Sequence, residues 1–260
     1  MIARLSLRIG VLAYLAAILL VPVGLVFWRT FEHGVGPAWD AVTTPGAKHA
    51  FWLTLEIAAI AVPLNTVFGV LCALAIVRHR FPGKGVLNAV VALPLALSPV
   101  VVGLSIVLLY GRDGWLGSLP FQVLFATPAM VLATIFVSLP FVVREVVPVL
   151  REIGTDQEEA AATLGAGAFS TFRRVTLPAI RWAVTYGVIL TTARAIGEYG
   201  AVRVVSGNIE GKTQTMTLLV QDSYDNYDIT GAYAASVLLA MIAIATLLLM
   251  TMFRPREEST

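Results

Sequence analysis

EAAATLGAGAFSTFRRVTLP, residues 159–178, is a polar, basic stretch set between long apolar segments. It places Glu159, Ala160 and Ala161 ahead of Gly165, and after nine more residues Val175, Leu177 and Pro178. The local chemistry reads as two helices meeting at a glycine. Thr155 or Asp156 can cap the first, with Glu158 and Glu159 in its opening turn, where carboxylates are favoured. Ala160, Ala161 and Ala162 favour helix and leave a smooth surface. Gly165 can end it in a left-handed turn without a Cβ penalty. A second helical stretch should carry Phe169, Phe172 and Val175 on one side and Arg173 and Arg174 on another, with Pro178 opening the next apolar run. The whole segment spans 148–181. It reads as an L-shaped knob or, alternatively, as an amphipathic loop lying on a membrane surface.

The rest of the composition says what this segment is embedded in. Of the 260 residues 58% are hydrophobic and 13% charged, with a mean hydropathy of +0.83. A soluble domain carries about 25% charged residues. Such a chain belongs mostly in lipid. The net charge of +2 and the lack of a basic tract with interleaved aromatics exclude a nucleic-acid partner. Cys72 lies inside an apolar run and has no second cysteine to pair with. His33, His49 and His79 are dispersed, which argues against a membrane enzyme and a metal centre alike.

Six runs are long enough to cross about 30 Å of hydrocarbon as helix: 9–28, 53–77, 86–110, 126–147, 183–205 and 233–253. Helix is required because lipid supplies no partner for a free amide, and the runs lack the alternation of barrel strands. The first run is followed by Arg29, Thr30 and Phe31 rather than a small-residue cleavage site, so it reads as a retained span. Basic residues set the orientation. Arg4, Arg8, Arg78, Arg80, Lys84, Arg144, Arg151, Arg173, Arg174, Arg181, Arg254 and Arg256 flank one side, against Arg29, Lys48, Arg112, Arg203 and Lys212 on the other. This places both termini and the 148–181 segment in the cytoplasm. Trp28, Trp39, Trp52 and Trp115 then lie at the outer interface. Pro22, Pro63, Pro94, Pro99 and Pro140 should kink their spans. The expectation is one domain over 1–260 with a mobile tail at 254–260.

The E-A-A, Gly, V-x-L-P register resembles the EAA loop of ABC importer permeases. Three longer stretches narrow the resemblance: FVVREVVPVLREIGTDQEEAAATLGA (141–166), TTARAIGEYGAVRVVSGNI (191–209) and LPLALSPVVVGL (93–104). They are similar to sulfate/thiosulfate importer permeases of the CysW type, from the second span onward. ARAIGEYGA is shared with molybdate permeases. The resemblance implies an all-α integral membrane protein with about six transmembrane helices and a cytoplasmic EAA coupling loop, the type I ABC importer permease fold. It implies that Glu159, Ala160, Ala161, Gly165, Phe169 and Pro178 form the docking surface for an ATPase. The implied partners are ABC ATPase subunits, two of them, a second homologous permease, an extracytoplasmic sulfate-binding protein and the inner-membrane lipid. ATP and magnesium belong to the ATPase; this chain has no phosphate-binding G-x-x-x-x-G-K-[ST] loop and is implied to bind no cofactor.

Arg194 and Glu198 stand four residues apart within the fifth run, on one helical face. They can simply neutralise each other, or Arg194 can present a cation to a passing dianion. Ser98 and Asn65, and less directly Ser206, could add polar contacts along a pathway. The loop 206–230 holds Glu210, Asp222, Asp225 and Asp228 against Lys212, an acidic mouth that fits delivery of an anion by a binding protein or ordinary solvated charge. The alternatives are a molybdate or tungstate permease, and an ion-coupled carrier using Arg194 and Glu198 as a relay.

Overall fold

The computed structural model describes residues 2–252. The tail 254–260, with Arg254 and Arg256, lies outside them, as do the side chains of Arg4 and Arg8. Every regular element among the described residues is helical, as lipid demands. The chain runs through α1 (Ile2–Phe31), α2 (Val35–Thr43), α3 (Pro45–Arg78), α4 (Lys84–Ala96), α5 (Pro99–Tyr110) and α6 (Thr127–Glu152). It continues through α7 (Asp156–Thr163), α8 (Ala168–Thr171), a π-helical turn (Phe172–Thr176), α9 (Leu177–Ile196), α10 (Gly200–Ser206), α11 (Met216–Asp225) and α12 (Ile229–Met252).

The apolar runs do not all become straight spans. Among the described residues, four helices are long and apolar enough to cross a membrane: residues 9–31 of α1, α3, α6 and residues 229–246 of α12. The run 86–110 folds at Leu97 and Ser98, where α4 and α5 meet at 112°. Pro99 opens α5 and holds Ser98 extended (φ −64°, ψ 135°). The run 183–205 breaks at Gly197–Tyr199 into α9 and the short α10. Pro63 and Pro140, by contrast, sit inside unbroken helices.

The core lies where α6 packs along α3 and α9. Its tightest point is Val142, which is fully buried. A methyl group on Gly69 would stand 2.6 Å from the Val142 Cβ, and one on Gly187 would stand 2.8 Å from its Cα. Only hydrogen at these two positions lets α3 and α9 close on α6. Small residues at helix crossings are how membrane bundles gain dispersion contact without a hydrophobic drive. Asn65 of α3 is completely buried in the same seam. Its amide donates to the Ile135 carbonyl (3.1 Å) and the Ser138 hydroxyl (2.7 Å) of α6. Helix α1 turns most of its described side chains outward and packs against α2 and α12, with Thr30 buried.

Candidate functional site: a surface knob and two helix breaks

At one end of the bundle stand the C-termini of α3 and α6 and the start of α9, with α7 and α8 between them. Helix α7 ends in a double turn: Gly165 N–H donates to Ala162 O and Ala166 N–H to Ala161 O, both 3.0 Å. Gly165 has φ +84°, the left-handed value this termination needs. At the other end Thr155 holds the N-cap position, but its hydroxyl donates to the Glu159 carboxylate (2.7 Å) instead of capping the backbone. The expected second arm exists, but Pro178 does not interrupt it. The chain winds from α8 through the π turn directly into α9. The widened turn, closed by Leu177 N–H on Phe172 O, takes up the helical position ahead of a residue that has no N–H to give.

Phe169 and Phe172 part company here. Phe169 is 75% exposed and Leu164 is 89% exposed, whereas Phe172 packs on the cluster around Val146, Leu150 and Ile180. The surface formed by Glu159, Ala160, Leu164, Gly165 and Phe169 is open. Two large apolar side chains held in water beside small residues are a surface built to be covered.

The second region is formed by the two helix breaks, which lie against each other because α5 packs on α10. A methyl group on Gly200 would stand 3.0 Å from the Pro99 Cβ, and one on Gly103 would stand 2.7 Å from the Ala201 carbonyl. Arg194 and Glu198 sit just before this contact. Arg194 Nη1 is 2.7 Å from Glu198 Oε2, with the arginine side chain 29% exposed and the glutamate 2%. Glu198 also accepts from the Ala201 N–H (2.9 Å) through Oε1, capping α10, while its own carbonyl accepts from the Thr217 hydroxyl (2.8 Å). The carboxylate therefore holds the break together, and the partly open face of the pair belongs to Arg194. Ser98 is exposed at the neighbouring break and makes no side-chain cap to α5. Asn65 does not join them, being consumed in the α3–α6 seam.

The acidic loop is internally tied. Asp222 accepts from Asn208 (3.3 Å) and Gln214 (3.2 Å), and Asp228 caps α12 through Gly231 N–H (3.0 Å). Glu210 lies over Gly46 in the first turn of α3, where a carboxylate meets the positive end of a 34-residue helix. Ser206 is buried, its oxygen accepting from Asn208 N–H (3.1 Å).

Residues 65–259 match the model of the family described as binding-protein-dependent transport system inner membrane component. The chain belongs to this family. Among characterised relatives of this permease, the sulfate transport system permease protein CysW of Synechococcus elongatus is 51% identical over 94% of this chain and 87% of the relative. CysW of Escherichia coli K12 is 48% identical over 94% and 85%. A probable sulfate transport system permease protein cysT from Nephroselmis olivacea is 39% identical over 91% and 85%. In structure the permease is similar to a chain of a bacterial alginate ABC transporter solved with its pentasaccharide-bound periplasmic protein (TM-score 0.81, 16% identity, 99% of this chain and 96% of that one). A chain of the inward-facing MetNI methionine ABC transporter superposes less fully (TM-score 0.59, 18% identity, 78% and 92%). These solved structures share the permease fold. With them the all-helical membrane architecture expected from sequence stands, now with a folded third run and a broken fifth.

Proposed function

We infer that this chain is a transmembrane permease subunit of a sulfate ABC importer. The observation that carries this is the identity of about half its residues, over nearly its whole length, with CysW proteins. It is a multi-pass inner-membrane transport component, not an enzyme. Hydrolysis of ATP with magnesium falls to a separate subunit, present twice in the assembly, and one copy docks on this chain's knob through Glu159, Ala160, Ala161, Gly165 and Phe169. Pro178 marks where the knob's second arm becomes α9. The basic flanks put the knob and both termini in the cytoplasm. Independent of sidedness, Arg78, Arg80, Lys84, Arg173 and Arg174 gather at the knob end of the bundle. A second homologous permease completes the pathway, and an extracytoplasmic sulfate-binding protein docks on the opposite end, where the tied loop 206–230 offers a preformed surface. Arg194 and Ser98 border the pathway where the helix breaks meet; Glu198 holds Arg194 in place.

Two measurements test this. Uptake of radiolabelled sulfate is compared in a strain lacking the gene and in the complemented strain, with thiosulfate, molybdate and tungstate as competitors. Restored uptake that excess molybdate leaves unchanged supports the assignment. Uptake that is abolished by molybdate but not by thiosulfate moves the permease to the molybdate branch. Purification of the tagged permease in mild detergent then asks whether a nucleotide hydrolase accompanies it; uptake that persists without one, and that collapses with the proton gradient, removes the ATP-driven reading.

A further inference from the structure

Helix α7 has eight residues and buries none of them. An isolated helix of that length does not hold itself together in water, and glycines flank it at Gly154 (φ +63°) and Gly165 (φ +84°). Its attachment to the bundle is polar. Arg78, the last residue of α3, places Nε 2.9 Å from Glu158 Oε2 and donates from a terminal nitrogen to Glu158 Oε1 (3.2 Å). The same guanidinium donates to the Leu150 carbonyl (2.9 Å) and the Gly154 carbonyl (2.7 Å) at the end of α6. Thr176, buried in the π turn, donates its hydroxyl to Glu158 Oε1 (2.8 Å). One arginine and one glutamate thereby join the ends of α3 and α6, the first turn of α7 and the entry to α9. The side chains are 11% and 20% exposed, dry enough for charge-assisted bonds to exceed an ordinary surface pair.

We propose that this Arg78–Glu158–Thr176 clasp is the joint through which the knob moves the transmembrane helices. The proposal rests on the reading of the knob as an ATPase docking surface. Glu158 is then a positioning residue that faces inward, in contrast to its neighbour Glu159, which faces the docking partner. With the clasp closed, α7 cannot swing on its two glycines, so a displacement of the knob reaches α3, α6 and α9 together. With the clasp open, the ATPase still docks and still hydrolyses ATP, but the displacement of α7 is lost in its hinges and the knob pushes on α9 alone, through its second arm. Lysine at position 78 keeps the charge but has no planar fork with which to hold the Glu158 carboxylate and the Leu150 and Gly154 carbonyls at once.

The test uses the assembled complex reconstituted in lipid, in a Cys72→Ala background, with spin labels at Gln157→Cys on α7 and Leu71→Cys on α3. Pulsed electron resonance gives the width of the distance distribution, alongside sulfate uptake and ATP hydrolysis. Glu158→Gln and Arg78→Lys should each lower uptake at least tenfold, widen the distribution, and leave the ATPase subunit bound and hydrolysing. Thr176→Val, which removes one bond and keeps the ion pair, should widen it less and lower uptake severalfold; it keeps the proposal testable should the other variants not assemble. Wild-type uptake in Glu158→Gln overturns the proposal. So does lost uptake with an unchanged distribution, which would mean that Glu158 acts by touching the partner. Failure of the underlying reading shows separately: a Phe169→Cys probe in the otherwise unaltered complex would then cross-link to no ATPase subunit.

Discussion

Replacing Arg194 with glutamine separates the two roles of the Arg194–Glu198 pair. The substitution leaves Glu198, 3% exposed, ionised without its countercharge. Breaking a buried pair on one side costs about 3–5 kcal/mol. Arg194 is 29% exposed, so water entering the vacated space relieves part of the loss, and about 3 kcal/mol is expected. Glu198→Gln is milder. The amide oxygen still accepts from Ala201 N–H, and the freed guanidinium reaches water, so the loss is about 1.5–2 kcal/mol, that of one charged hydrogen bond. The double variant has neither buried charge and should lie within about 1–2 kcal/mol of the unaltered protein. The cycle then yields a coupling energy of about 3 kcal/mol. Equilibrium denaturation in mixed detergent micelles gives the four stabilities, and uptake is measured on the same four proteins. A double variant that is restored in stability but fails to transport makes Arg194 a pathway residue; restored transport makes the pair purely structural. A loss below about 1 kcal/mol for Arg194→Gln would refute the electrostatic argument itself, because it would mean that Glu198 is not charged, or not dry, in the folded protein.

Asn65→Leu removes two hydrogen bonds between α3 and α6 while their acceptors keep helical partners, and should cost about 1–2 kcal/mol in the same denaturation assay. Gly187→Val places a branched carbon against the Val142 backbone, 2.8 Å away at its root, and should cost about 1–3 kcal/mol by forcing α9 from α6. Gly165→Ala must hold φ near +84° and should lose about 1–2 kcal/mol of local stability, visible as faster amide exchange in α7. Phe169→Ala and Leu164→Ala, both exposed, should leave stability within about 0.5 kcal/mol while reducing co-purification of the ATPase at least tenfold.

The helices were legible because long apolar runs in lipid admit few other forms. A bend in the third run was legible in Pro99, but nothing local distinguishes a kinked span from the 112° fold that forms. The break in the fifth was not: Ala195, Ile196, Gly197, Tyr199 and Gly200 read as span, and only the capping of α10 by Glu198 shows why the helix stops. The spacing of Arg194 and Glu198 placed them together, although Glu198 stands past the end of α9 rather than on its face. Asn65 illustrates the opposite case, since a polar residue in an apolar run looks the same whether it faces water or a neighbouring helix. The clasp was hidden for a different reason. Arg78 and Glu158 are 80 residues apart, and each on its own reads as flanking charge. No local pattern marks two ends that meet only after α3 and α6 have packed.

The tight and the loose parts of this bundle lie in an order that suits transmission. Around Val142, glycine contacts leave no slack between α3, α6 and α9, and a close-packed interior moves as a unit rather than absorbing small shifts. The knob's second arm runs without interruption into α9, so a push on the knob travels along that helix. Its first compliant point is Gly197 to Tyr199, where α9 gives way to α10. That point touches the other break, at Ser98, through Gly200 and Pro99. A rigid lever therefore ends at two facing helix breaks, and Arg194 stands beside them. Were the breaks at the knob end and the glycine seam at the far end, the same push would be spent before reaching Arg194.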